Sequence, residues 1–98
     1  MTINQNREGN QLTLFLEGRL DTTTAPELEA VVDTALTDVE TLVVDLEQLE
    51  YVSSAGLRVF LKTQKFMNTR GTMKIIHVNA TIMEVFDITG FVDILMIE

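Results

Sequence analysis

The side chains best placed to do chemistry in this 98-residue chain are Ser53 and Ser54. They lie in the stretch Asp45 to Leu61, DLEQLEYVSSAGLRVFL, which reads as the end of a buried strand, a polar loop and the start of an amphipathic helix. A hydroxyl at a helix start has two uses. Its oxygen can accept from a first-turn N–H that has no partner within the helix. It can also carry a phosphate, which the positive helix end favours electrostatically. Phosphorylation would add about −1.5 to −2 charges without melting the helix. The two uses are compatible.

Other chemistries lack parts. A nucleophilic serine needs a positioned base. Ser54-Ala55-Gly56 does not form the G-x-S-x-G elbow, and the lone histidine, His77, falls in an apolar run that reads as strand. A structural role is therefore expected for His77, and no catalytic residue is assigned. Asp21, Asp45 and Glu47 fall near strand ends and could gather around a divalent cation. No loop shows the Asp-x-Asp spacing of a calcium site, so they read as solvated acids and no metal is expected. Gly18 and Gly56 do not make a phosphate-cradling loop, and no cofactor is expected. Arg58, Lys62 and Lys65 form a basic stripe that reads first as a solvated helix face. Beside Ser54, Val59 and Phe66 it also fits a mixed apolar and basic docking surface. Burial of Val59 or Phe66 under a neighbouring helix fits the pattern equally well.

The elements that must position these residues follow from periodicity. Thr2 to Asn6 reads as an edge strand, followed by a Gly9-Asn10 turn. Gln11 to Glu17 alternates, with Leu12, Leu14 and Leu16 on one face, and completes an antiparallel hairpin. Gly18 to Asp21 breaks that pattern. Helix one is predicted to open with a Thr24/Glu27 capping box and Pro26 in its first turn, and to end near Thr37. Leu28, Val31, Val32, Ala35 and Leu36 supply its apolar spacing. Thr41 to Leu46 reads as a central parallel strand. Helix two is predicted over Ser54 to Arg70, with Gly71 as its C-terminal cap. Met73 to Val78 is the next strand. Asn79 caps helix three, Gly90 ends it, and Phe91 to Ile97 is read as a last strand. The expected order is β-β-α-β-α-β-α-β: a single α/β domain over residues 1–98, with helices packed on a mixed sheet.

Composition narrows the function. Hydrophobic residues make up 46% of the chain, ample for a core without disulfides, and cysteine is absent. That suits a reducing compartment. Seven basic against fifteen acidic residues give a net charge of −8. Nucleic acids and anionic membranes call for the opposite sign, so neither is an expected partner. There is no apolar run long enough to span a bilayer and no signal-like pattern in MTINQNREGNQ, so the expectation is a soluble cytoplasmic protein.

The stretch YVSSAGLRVF resembles the signature of STAS domains, particularly the anti-sigma factor antagonists. Three more stretches agree in order and spacing. Glu17 to Asp21 resembles the G-x-L-D segment before the first helix, Leu42 to Leu46 the central strand, and Val85 to Phe91 the F-x-x-T/S-G ending. The resemblance covers nearly the whole chain. In the family the phosphorylatable residue opens the second helix, in a pattern close to D-S-S/T-G-L. Aligned on Gly56 and Leu57, that residue is Ser54. Ser53 stands where the family carries Asp and is a second candidate acceptor; Ala55 stands where it carries Ser or Thr. The family's usual C-terminal helix is expected to be absent or very short.

The resemblance implies a partner switch. Unphosphorylated, the protein would bind a serine kinase that doubles as an anti-sigma factor. Phosphorylation would end that binding, and a PP2C-type phosphatase would restore it. The implied docking face comprises Asp21, Ser53, Ser54, Gly56, Leu57, Arg58, Val59 and Lys62. The domain itself would be a non-enzymatic binding module, monomeric when free. One rival reading makes it a STAS subunit of a transporter or signalling assembly, without a phospho-switch. Another makes it an enzyme or nucleotide-binding protein, against which stand the absent glycine-rich loop and the single histidine.

Overall fold

The computed structural model describes all 98 residues, Met1 to Glu98. Strands β1 (Thr2–Glu8) and β2 (Gln11–Leu20) form an antiparallel hairpin. Gly9, at φ 62°, supplies the left-handed turn conformation that the two-residue connection requires. Helix α1 (Ala25–Ala35) leads to β3 (Thr41–Val52), and helix α2 (Ser54–Asn68) to β4 (Thr72–Ile76). Helix α3 (Ala80–Thr89) and a 3₁₀ turn (Phe91–Asp93) complete the chain. The sheet order is β1-β2-β3-β4, with β2, β3 and β4 parallel.

Each crossover steps one strand in the same direction. Right-handed crossovers of that kind put their helices on one face of the sheet. Burial agrees. Leu12, Leu14, Leu16, Leu42, Val44, Met73 and Ile75 join Leu28, Val32, Phe60, Met67, Ile82 and Phe86 in one core. Phe60 and Phe86 meet edge to face at 6.2 Å. The opposite sheet face carries Thr13, Phe15 and Glu17, and Phe15 is 40% exposed.

The expected mixed α/β domain is observed, with local differences. The Thr24 capping box does not form. Thr24 Oγ1 instead accepts from the backbone N–H of Asp21 and donates to the carbonyl of Arg19, both at 2.8 Å. Asp21 Oδ1 accepts from the N–H groups of Thr23 and Thr24, so the acid one turn earlier holds the loop that enters the helix. Helix α1 stops at Ala35, two residues before the expected end.

The pattern break at Gly18 is not the end of β2. Register shifts between Phe15 and Glu17, and between Gly18 and Arg19, let β2 run on to Leu20 beside a β3 that continues to Val52. Helix α2 ends at Asn68 with Thr69 as its cap. Gly71 is needed for a different reason. A Cβ there would lie 1.9 Å from the carbonyl oxygen of Glu40, so the chain passes too close for any side chain.

The strand expected over Phe91 to Ile97 shrinks to one bridge. Left-handed Gly90 turns the chain, and the Phe91 carbonyl then accepts from Ile94 and Leu95. Those local bonds hold the segment out of the sheet until Ile97 pairs with Ile75. Strand β4 also ends earlier than expected. His77 lies beyond it with φ 57°, a left-handed conformation uncommon for a residue with a Cβ.

Candidate functional site at the start of helix α2

Strands β2 and β3 finish side by side, with Leu20 opposite Val52. The ladder extends one residue further, because Ser53 N–H donates to the Leu20 carbonyl at 2.8 Å. Ser53 is still extended (φ −97°, ψ 175°), and α2 begins at the next residue. Its carbonyl accepts from Leu57 N–H at 2.9 Å, and its Oγ accepts from Gly56 N–H at a long 3.4 Å. Ser53 is therefore the N-cap, half-buried and already engaged. Ser54 is the first helical residue, exposed, and its hydroxyl makes no hydrogen bond within the chain. Of the two serines, this one is open to solvent.

Gly56 explains how the helix sits so close to the strand ends. A Cβ there would lie 2.6 Å from Leu20 Cγ and 3.0 Å from Val52 Cγ2. Leu57 then packs inward at 6% exposure. The same strand ends carry Arg19 in β2 and Tyr51 in β3, with Asp21 just beyond β2. The Arg19 guanidinium stacks 4.2 Å from the Tyr51 ring centre and lies 4.0 Å from the Asp21 carboxylate. The Thr23 hydroxyl donates to Asp21 Oδ1 at 2.7 Å. That bond, joined by the backbone N–H groups of Thr23 and Thr24, holds the Asp21 carboxyl below its ordinary range.

The residues expected on a docking face divide. Ser54, Arg58 and Lys62 are exposed, and Asp21 and Ser53 are partly so. Gly56, Leu57 and Val59 are buried, and Val59 belongs to the core at 6% exposure. The helix turn that carries Val59 faces inward, which withdraws its side chain from any docking surface. Phe66 is 40% exposed, with Arg70 stacked over it at 4.4 Å. Lys62 is not a free cation. Its Nζ donates to Glu29 Oε2 and Asp33 Oδ1 of α1, each at 3.0 Å. The bonds to Glu29 and then Asp33 raise its pKa.

Sequence reasoning missed the Arg19–Tyr51 pair, which depends on the β2 register shifts and has no sequence signal. It also misplaced His77. Beyond β4, His77 Nδ1 lies 2.9 Å from Asp45 Oδ2 and 3.7 Å from Glu47 Oε2. Asp45, Glu47 and His77 thus bring three metal-capable donors within 4.8 Å of one another. The buried Asp45 is satisfied without an ion: Oδ1 accepts from Glu47 N–H and Oδ2 pairs with the imidazole. A groove of about 270 Å³ between α1 and α2, lined by Val32, Leu36 and Phe66 among others, lies at the Lys62–Arg70 end of α2, not at Ser54.

A four-stranded mixed sheet covered by helices on one face, with a serine-opened helix at its parallel strand ends, defines the class: a small α/β domain. The family model of the STAS domain matches residues 2–98. The chain belongs to the STAS domain family. It is similar to the putative anti-sigma factor antagonist BtrV of Bordetella bronchiseptica, at 33% identity over 96% of this chain and 83% of that one. It is also similar to the anti-sigma-B factor antagonist of Staphylococcus aureus, at 35% identity over 83% of this chain and 77% of that one. Among these antagonists the family relationship is therefore direct. Solved structures agree at the level of fold. An anti-sigma factor antagonist from Mycobacterium paratuberculosis superposes with TM-score 0.89 at 21% identity, covering 98% of this chain and 83% of that chain. The antagonist SpoIIAA superposes with TM-score 0.77 in its unphosphorylated form, at 18% identity over 99% and 87% of the two chains. The Bacillus SpoIIAA in its phosphorylated form gives the same score, at 20% identity over 99% and 91%.

Proposed function

We propose that this domain is the antagonist in a phosphorylation-controlled partner switch. Unphosphorylated, it binds a serine kinase that also serves as an anti-sigma factor. Phosphorylation of Ser54 by that kinase releases the domain, and a PP2C-type phosphatase resets it. The free domain is monomeric and performs no catalysis of its own. The contact surface on this reading is Asp21, Ser53, Ser54 and Arg58, with Gly56 and Leu57 acting from beneath.

The observation that carries the reading is the division of labour between the serines. Ser53 caps the helix, while Ser54 offers an exposed hydroxyl with no partner. That division supports Ser54 over Ser53 as the acceptor. SpoIIAA is described in both unphosphorylated and phosphorylated forms, which supports a phosphate in this kind of fold. A phosphate adds about −1.5 to −2 charges. Buried in an interface without a cationic partner, such a charge costs several kcal/mol. Each ~1.4 kcal/mol is a tenfold loss of affinity.

The test is incubation with ATP and each candidate serine kinase from the same source, with the phosphate mapped by mass spectrometry. The expected result is phosphate on Ser54, abolished in Ser54→Ala. The Ser54→Ala protein should bind the kinase constitutively and Ser54→Asp should bind it weakly. Phosphate on Ser53 instead would move the site. Equal kinase affinity for the two Ser54 variants would sink the switch.

A further inference from the structure

On α2, Ser54, Arg58 and Lys62 lie four residues apart, along one ridge of the helix surface. Lys62 is committed to Glu29 and Asp33. Arg58 is exposed and makes no ion pair or side-chain hydrogen bond. Its helix neighbours one turn away are Ser54, Ala55, Leu61 and Lys62, and none of them is acidic. In a chain of net charge −8, with fifteen acids to seven bases, this guanidinium is left without an acidic partner. The residue it faces across one turn is the serine with the free hydroxyl.

We infer that Arg58 is the counter-ion that captures a phosphate placed on Ser54. This rests on the reading of Ser54 as the acceptor. The order is the favourable one: the anion sits N-terminal, at the positive helix end, and the cation four residues later. The guanidinium offers a planar fork that matches two phosphate oxygens. The capture gives the switch two parts. Before phosphorylation Arg58 is an unpaired cation, available to an acidic side chain of the partner. Afterwards the same guanidinium is held within the domain, so the partner meets added negative charge and also loses a cation. Neither part needs the backbone to move.

The test uses protein with phosphoserine installed at position 54 during translation, so no kinase is involved. Phosphorus NMR follows the second ionisation of the phosphate, which lies near pH 6 in the free amino acid. The expected result is a pKa about 0.15 to 0.35 unit lower with Arg58 than in Arg58→Gln, the shift corresponding to one helical i,i+4 ion pair. Arg58→Lys should retain part of the shift, and Lys62→Gln should leave it unchanged. The other charged or titratable groups at these strand ends, Arg19 in β2, Tyr51 in β3 and Asp21 just beyond β2, are the same in every variant and cancel. Equal values for the parent and Arg58→Gln would overturn the inference, as would a Lys62→Gln effect as large as that of Arg58→Gln. Either result is distinguishable from failure of the proposed switch, because kinase mapping can fail on Ser54 while this pairing stands, and the reverse.

Discussion

At the scale of single residues, two glycines are held by close approach rather than by left-handed φ. A Cβ on Gly56 would meet Leu20, whose side chain is fully buried, so the strand end or the helix must give way. Alanine gains about 1 kcal/mol of helix propensity over glycine. Overpacking typically costs 1–3 kcal/mol, and at this contact it wins. Gly56→Ala should lower the urea midpoint with the m-value unchanged. Gly71→Ala should be worse, because the clash is with the backbone of Glu40, which has no rotamer to change. A Gly71→Ala protein as stable as the parent would show that the β3 and β4 entries can separate. Asp21 adds a pH signature. Its folded pKa lies below its unfolded value because Thr23 and Thr24 donate to it. Its contribution is therefore full above the unfolded value, about 3.9, and is lost as pH falls through the lower folded value. Asp21→Asn should remove part of the acid limb of a plot of Tm against pH, while both proteins keep flat profiles near neutrality. Of these features the sequence showed only that glycines and an aspartate were present. The roles of the glycines depend on residues more than 30 positions away, Glu40 from Gly71 and Leu20 from Gly56, that no local pattern connects.

At the scale of elements, α2 was legible where its apolar spacing was regular and obscure where packing decided the outcome. Ser54 as its start, and Leu57 and Phe60 as its inner face, were readable from periodicity. Val59 was not, because a residue at the edge of a broad apolar arc is buried only if a second helix lies alongside, and α1 does. The same neighbour removes Lys62 from the free basic stripe. Tying α2 to α1 through Glu29 and Asp33, Lys62 has a raised pKa, so its contribution persists below the ordinary lysine value and is lost as pH rises through the folded one. Exposed bridges of this kind are weak and screened by salt. Lys62→Gln should lower Tm slightly at low ionic strength, and the difference should fade in 1 M salt. A difference that persists in high salt would mean the lysine stem, rather than its charge, holds the helices. The early ends expected for β2 and β3 share one cause. Polar residues after Leu46, and Gly18 in β2, weaken the alternation that marks strands, yet register shifts carry both strands on to the serine loop. The reverse happened at Phe91 to Ile97, where an apolar run looked like a strand and Gly90 turned it into a 3₁₀ segment.

At the scale of the whole molecule, a mixed sheet with helices packed on it was readable in advance from a hairpin followed by alternating helices and strands, whereas coverage of one face follows from the observed strand order. What could not be read was the convergence of the β2 and β3 ends on Ser53. That convergence has a consequence for how any signal at Ser54 is received. The Ser53 amide is bonded to Leu20, so the residue before Ser54 extends the sheet ladder. On the proposed switch, a mark at Ser54 would be read by direct contact, since the residue behind it is held in the sheet ladder. Every protein that wrote it, erased it or responded to it would then meet the domain at the same helix start, one at a time. Copy numbers and residence times of those visitors, rather than motions inside the domain, would set the timing of such a circuit.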